Sequence, residues 1–273
     1  MVSGADRRGS ARGVLWTVTA PKVGVGATTL VANLGVELAH TGRRTVAVDL
    51  DLECGDLAMF LDCGTHDALG VLAAHAHAWD SGWDPLFVAG ALAHHASGLD
   101  LVITHPAPTA GPGHAPAAEA VVALLDRLRA AYDVVLVDAP PPLQPAAIAA
   151  IRTSDRVIVP TDLTLPCVRA AWRTLATLAT AGVAAETITL VGTRCRPTPC
   201  GLTPDDLREL LGVPLATTLP SDEAAERALA VGAPLHAVDA GSALRAGIVA
   251  LATALWTTPA SAPAPAIQAG AAR

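Results

Sequence analysis

Residues 19–30 read TAPKVGVGATTL. The segment before them, VLWTVTA (14–20), is a short continuous aliphatic run and reads as a buried strand. The segment after them predicts a helix from about Ala27 to His40. A strand, a glycine turn and a helix in immediate succession open an α/β fold. The rest of the chain repeats that alternation. Strands are predicted at 45–51, 99–105, 132–140, 155–162, 187–193 and 213–220. Helices are predicted at 67–78, 85–96, 117–131, 145–152, 166–181, 203–211, 221–231 and 241–256. Short aliphatic strands separated by helices predict a mostly parallel sheet with helices on both faces. Sites in such sheets lie beyond the carboxyl ends of the strands. Three candidate loops fall there: 21–28, 49–56 and 138–142.

The bulk composition agrees. The chain has 273 residues, enough for one large domain with a core. Hydrophobic residues make up 52% and aromatics only 3%, so alanine, valine and leucine do the packing. The expected organisation is a disordered N-terminal segment at 1–13, one domain at 14–257 and a Pro/Ala-rich disordered tail at 258–273. The first 13 residues lack the apolar run of a secretory signal. No apolar stretch approaches the roughly 18 residues needed to span a bilayer. The net charge of −7 argues against general nucleic-acid binding. Five cysteines, Cys54, Cys63, Cys167, Cys195 and Cys200, form no CxxC pair. A reduced cytoplasmic interior is expected. His75, His77, His94 and His95 are expected to be solvated helix residues.

The loop itself is close to the phosphate-loop pattern G-x-x-x-x-G-K-[ST]. In that pattern backbone N–H groups wrap phosphates, the lysine grips them and the hydroxyl holds magnesium. Gly26 and Thr28 align with the end of the pattern. Pro21 then takes the first glycine position and Ala27 the lysine position. Gly24 and Gly26 permit backbone conformations that aim N–H groups at phosphate oxygens. The helix beginning at Ala27 adds its positive end. Thr28 offers a hydroxyl to magnesium, and Asp138, ending a buried strand, is placed to hold the ion. Asp49 and Asp51, two apart on a predicted strand, face one side and both reach the site. Lys22 is the chain's only lysine; every other basic side chain is an arginine. A compact ammonium among phosphates is where lysine and arginine differ most.

The stretch PKVGVGATT resembles the deviant phosphate loop of the MinD/ParA superfamily, K-G-G-x-G-K-[ST]-[ST]. Lys22 matches the signature lysine, Val23 replaces a glycine, Gly24 and Gly26 match, Val25 is the free position, and Ala27 replaces the second lysine. Thr28 and Thr29 complete the motif. The loss of that second lysine is similar to the CpaE/TadZ-like branch, which positions Flp/Tad pilus and related secretion machinery. VAVDLDLECGDLAMFLD (46–62), YDVVLVDAPPP (132–142) and LATTLPSDEAAERALAVGAPL (215–235) resemble further segments of that branch.

The resemblance implies a three-layer P-loop NTPase fold, ATP with Mg2+, and an ATP-dependent homodimer. Lys22 would reach the partner's nucleotide, and Asp51 would orient the attacking water. Residues 22–29, Asp138, Thr193, Pro220 and Asp222 would contact the nucleotide, and Thr28, Asp138 and Asp49 would serve the metal. Thr193 stands where an adenine-reading asparagine is usual. Without a lysine at 27, hydrolysis is expected to be weak or absent. The implied partner is a pilus, secretion or polar protein, reached from the cytoplasm or at the membrane periphery.

The alternative is a ParA- or MinD-type partition or septum-site ATPase. Arg169, Arg173, Arg194, Arg196 and Arg208 make no dense basic run. Helix 241–256 reads as core-packing rather than as a basic amphipathic membrane helix. A tyrosine autokinase is excluded by Tyr132 being the only tyrosine.

Overall fold

The computed structural model describes residues 12–52, 54–64, 67–75, 85–104, 116–196 and 201–257. The expectations for the N-terminal segment up to residue 11, the tail at 258–273, the loop at 105–115, His77 and Cys200 lie outside them.

The strands are β1 (Val14–Thr19), β2 (Thr45–Asp49), β3 (Ala93–His94), β4 (Leu99–Val102), β5 (Val134–Ala139), β6 (Arg156–Asp162), β7 (Ile188–Cys195) and β8 (Leu215–Pro220). The helices are α1 (Ala27–His40), α2 (Ala68–His75), α3 (Pro85–Ala91), α4 (Ala118–Ala131), α5 (Pro145–Thr153), α6 (Leu165–Thr180), α7 (Pro204–Leu211), α8 (Glu223–Val231), α9 (Leu235–Val238) and α10 (Ala243–Thr257). The sheet order is β3-β4-β2-β5-β1-β6-β7-β8. Among the described residues only the β3–β4 edge pair is antiparallel; β1, β2 and β4 to β8 run parallel.

Helices cover both faces, and β6 shows why. Val157 and Val159 pack with α6 and α7 in one core. Ile158 between them points through the sheet into the other, larger core. Side chains alternate across a strand, so a strand with no polar side must be covered twice. β5 is buried at every position. α10 lays Leu244, Ile248, Leu251 and Leu255 into the core against α1 and β8, as the sequence predicts. α7 starts where Thr203 and Asp206 form a reciprocal capping box. Among the described residues no helix is long and apolar enough to cross a membrane.

Three local expectations are corrected. The helix predicted over 85–96 stops at Ala91, and Ala93–His94 pairs with β4 as an edge strand. His94 and His95 are therefore not helix residues; His94 Nδ1 meets Asp100 and His95 Nδ1 meets Ser97. The strand predicted over 45–51 ends at Asp49, so Asp51 lies in the following loop. A short helix, α9, intervenes after Pro234.

Candidate nucleotide and cation site

The loop between β1 and α1 sits at the centre of the sheet, where β1 is flanked by β5 on one side and β6 on the other. Gly24 has φ +87° and Gly26 φ +92°, a region that L side chains rarely adopt. A Cβ built on either meets nothing within 4 Å. The glycines are therefore needed for backbone shape, and the space over them is open. Gly26 is also the N-cap of α1 and supplies no side-chain cap. The N–H groups of the first turn are left without intrahelical acceptors and face the loop.

Beneath the loop lie the ends of β2 and β5. Asp49 and Asp138 are paired in register there, 1% and 2% exposed. Asp49 is held by its own loop: Oδ1 accepts from the Asp51 N–H at 2.8 Å and Oδ2 from the Leu57 N–H at 3.2 Å. Asp138 Oδ1 is buried and has no partner. Burial pushes the Asp138 carboxyl up to about 7; the Thr28 hydroxyl pulls it down, and the charges of Asp51 and Asp56 push it up again. Asp49 is held well above the ordinary carboxylate range, first by burial and then by Asp138. Two buried carboxyls this close favour retaining a proton between them.

That donor set fits a hard divalent cation. Thr28 offers a hydroxyl, and Asp138 and Asp49 offer carboxylate oxygens, the ligands magnesium prefers. A cation would satisfy Asp138 Oδ1 and relieve the repulsion.

Asp51 does not project from a strand. It sits in a turn in which its Oδ1 accepts from the Cys54 N–H at 2.9 Å, yet its charge still reaches Asp138. Ala27 is 8% exposed and packs with the core. Lys22 and Val23 are exposed at the loop's crest. The Lys22 charge acts on Cys167 in α6, whose thiol burial lifts to about 11.

A cleft of about 570 Å³ opens from the loop toward β7 and β8. Val25, Gly26 and Thr29 form its loop side, and Thr193, Pro220 and Asp222 its far side. Thr193 Oγ1 is buried without a partner. Asp222 is differently employed: its carboxylate caps α8 through the Ala224 N–H and accepts from Ser242 Oγ and the Leu244 N–H. A second groove, about 680 Å³, lies between Ala20–Pro21, Pro141–Leu143 and the Arg169–Arg173 face of α6.

Sequence reasoning missed three polar groups here. Thr19 ends β1 with an unpartnered, buried Oγ1. Asp56 lies in the quoted acidic segment and acts on Asp138. Asp162 ends β6 and lines the cleft. Thr19 and Asp162 end their strands and Asp56 lies in the loop after β2, so position marks each as a candidate without showing what it touches.

A family model described as an AAA domain matches residues 113–181. The chain is 30% identical over 213 residues to a putative septum site-determining protein MinD of Guillardia theta, covering 76% of this chain and 74% of that protein. In fold it is similar to a ParA family ATPase from Chlorobium tepidum TLS, with TM-score 0.78, 23% identity, and coverage of 88% of this chain and 98% of the other. It is also similar to the septum site-determining protein MinD complexed with Mg-ADP from Pyrococcus horikoshii OT3, with TM-score 0.73, 22% identity, and coverage of 89% and 96%.

Proposed function

The chain belongs to the MinD/ParA superfamily of P-loop ATPases, and we propose that it is a slow nucleotide switch that binds ATP with magnesium and dimerises in response. The observation that carries this reading is the buried Asp49–Asp138 pair, with an unpaired Asp138 Oδ1, directly under a left-handed glycine loop. The Mg-ADP bound to the Pyrococcus horikoshii protein supports the same ligand class here.

The residues divide the work. Backbone N–H groups of residues 22–29 and the N-terminal end of α1 hold phosphate oxygens. Thr28, Asp138 and Asp49 hold magnesium, which neutralises charge between the phosphates. The cleft takes the nucleoside, with Thr193 Oγ1 available to the base and Pro220 as an apolar wall; Asp222 shapes this end through its cap. Asp51 orients a water. Lys22, exposed at the loop, meets the phosphates of a second copy. Ala27 supplies no charge to the transferring phosphoryl group, so hydrolysis is slow.

The MinD relative favours a septum-site or partition ATPase as the cellular role. Ala27, in the place of the phosphate-gripping lysine, favours a second reading: a CpaE/TadZ-like factor that positions pilus or secretion machinery from the cytoplasmic face. A survey of co-purifying proteins from the native host separates the two.

Light scattering with and without a non-hydrolysable ATP analogue tests the switch. Wild type is expected to dimerise only with analogue and magnesium. Lys22→Ala is expected to bind nucleotide but stay monomeric, and Lys22→Arg to dimerise weakly, because the guanidinium is wider and its charge is spread. A wild type that stays monomeric at every nucleotide concentration, or a Lys22→Ala that dimerises normally, overturns the reading.

A further inference from the structure

Glu37 and His40 lie one turn apart at the end of α1, so both project from the same face of the helix. His236, on α9, comes to the same place from the far end of the chain. The His40 and His236 rings are 4.4 Å apart between centroids and tilted by 56°. Ligand atoms of Glu37, His40 and His236 all lie within 4.8 Å of one another. Both imidazoles are exposed, whereas the Glu37 carboxylate is buried.

The carboxylate is already oriented. Arg245 of α10 donates Nε to Oε1 at 2.6 Å and Nη2 to Oε2 at 3.0 Å. Each carboxylate oxygen has two lone-pair sites, so a fork from arginine leaves one on each oxygen free. Metal-ligating carboxylates are ordinarily fixed by such a second hydrogen bond. The arginine also balances the carboxylate's charge, leaving two exposed imidazoles beside a buried carboxylate that keeps one free lone-pair site on each oxygen.

The geometry points to a transition-metal site here: a zinc-class ion held by His40, His236 and Glu37, with water completing a tetrahedral shell. Two histidines and a glutamate are an established zinc donor set. Imidazole nitrogen favours zinc, nickel or copper over magnesium, so this site and the oxygen-rich Asp49–Asp138 site select different ions. The ion clips the last turn of α1 to α9. That turn is about 20 Å along the helix from the phosphate loop, by the rise of 1.5 Å per residue. The proposal does not rest on the nucleotide reading.

The test is zinc titration of the untagged full chain, without nucleotide, by calorimetry. Cobalt substitution, read by visible absorption, follows. Wild type is expected to take up one zinc ion at this site, to melt at a higher temperature with zinc, and to give a tetrahedral cobalt band. His40→Ala and His236→Ala are each expected to weaken zinc binding at least tenfold, in line with the loss of a ligand, and to remove the band and the thermal shift. Both positions are exposed, so the fold survives the change. Glu37→Gln is expected to weaken binding too, and if it fails to fold the histidine variants decide. Equal zinc affinity in wild type and the His40→Ala/His236→Ala double variant overturns the proposal. So does zinc binding that is lost in Asp138→Asn but kept in the histidine variants.

Discussion

Asp49 and Asp138 face each other in register across β2 and β5, but their carboxyls are held differently: both Asp49 oxygens accept backbone N–H groups, whereas Asp138 meets the Thr28 hydroxyl and keeps Oδ1 without a partner. Asp49 is anchored by two backbone N–H groups; Asp138 keeps a free, buried oxygen. The fold stores an unsatisfied acid at the carboxyl end of its central strands. Such a group is costly unless it keeps a proton or gains a cation.

A pH dependence follows. The Asp138 carboxyl stands near 7 in the folded protein and near ~3.9 in an unfolded chain. The unfolded state therefore gives up its proton first as pH rises. The contribution of Asp138 to the stability of the nucleotide-free protein is full below about pH 4 and is lost as pH climbs from there toward 7. Melting curves across that range are expected to show the decline, and Asp138→Asn to flatten it. With ATP and magnesium present the decline should shrink. A wild-type melting temperature that rises steadily from pH 4 to 7 contradicts the pairing.

Gly26 carries φ +92° with open space around it. Gly26→Ala meets no steric neighbour, so its cost is backbone strain alone, about 1–2 kcal/mol. Urea unfolding is expected to register that loss, and nucleotide affinity to drop with it, because the strained backbone is what aims the N–H groups. An unchanged midpoint and affinity would mean the loop relaxes without consequence.

Ala27 is the residue that separates this loop from the ordinary motif. Ala27→Lys restores a charge aimed at the transferring phosphoryl group. Phosphate release is expected to rise on the order of tenfold or more, with nucleotide affinity not reduced. The position is 8% exposed, so the lysine stem must leave along the loop's phosphate side. A fall in affinity without a gain in turnover would show that the backbone has closed around alanine. A wild type that already turns over rapidly removes the premise.

The sequence made the α/β architecture legible because its strands are mostly aliphatic runs and helices such as α1, α5, α6 and α7 open on a glycine, proline or threonine. α1 was readable to both ends, from Ala27 to His40. Two-residue β3 was not, because an edge bridge to β4 leaves no periodicity to read. Asp51 was misplaced for a physical reason: the Asp49 carboxylate binds the Asp51 and Leu57 N–H groups and turns the chain out of the sheet. Thr28, Asp49 and Asp138 could be named from their positions at strand and helix ends. The unpartnered Thr19 hydroxyl and the reach of Asp56 could not, since both depend on what the third dimension leaves beside them. His40 and His236 meet where Asn33 Oδ1 accepts the Leu235 N–H and the buried Leu235 ties α9 to the core, a contact across 202 residues of chain that no local pattern announces.

The most direct measurement of the central claim is a calorimetric titration of ATP into the purified chain, with and without magnesium, for wild type and Thr28→Ala. Thr28 touches the claim at one atom, the hydroxyl that meets Asp138 and that the proposal gives to the cation. Wild type is expected to bind ATP tightly only when magnesium is present. Thr28→Ala is expected to lose most of that magnesium dependence, with binding weakened about tenfold or more, in line with the removal of a metal ligand. Equal ATP affinity in the two proteins, or wild-type binding indifferent to magnesium, would contradict a nucleotide–magnesium site at this loop.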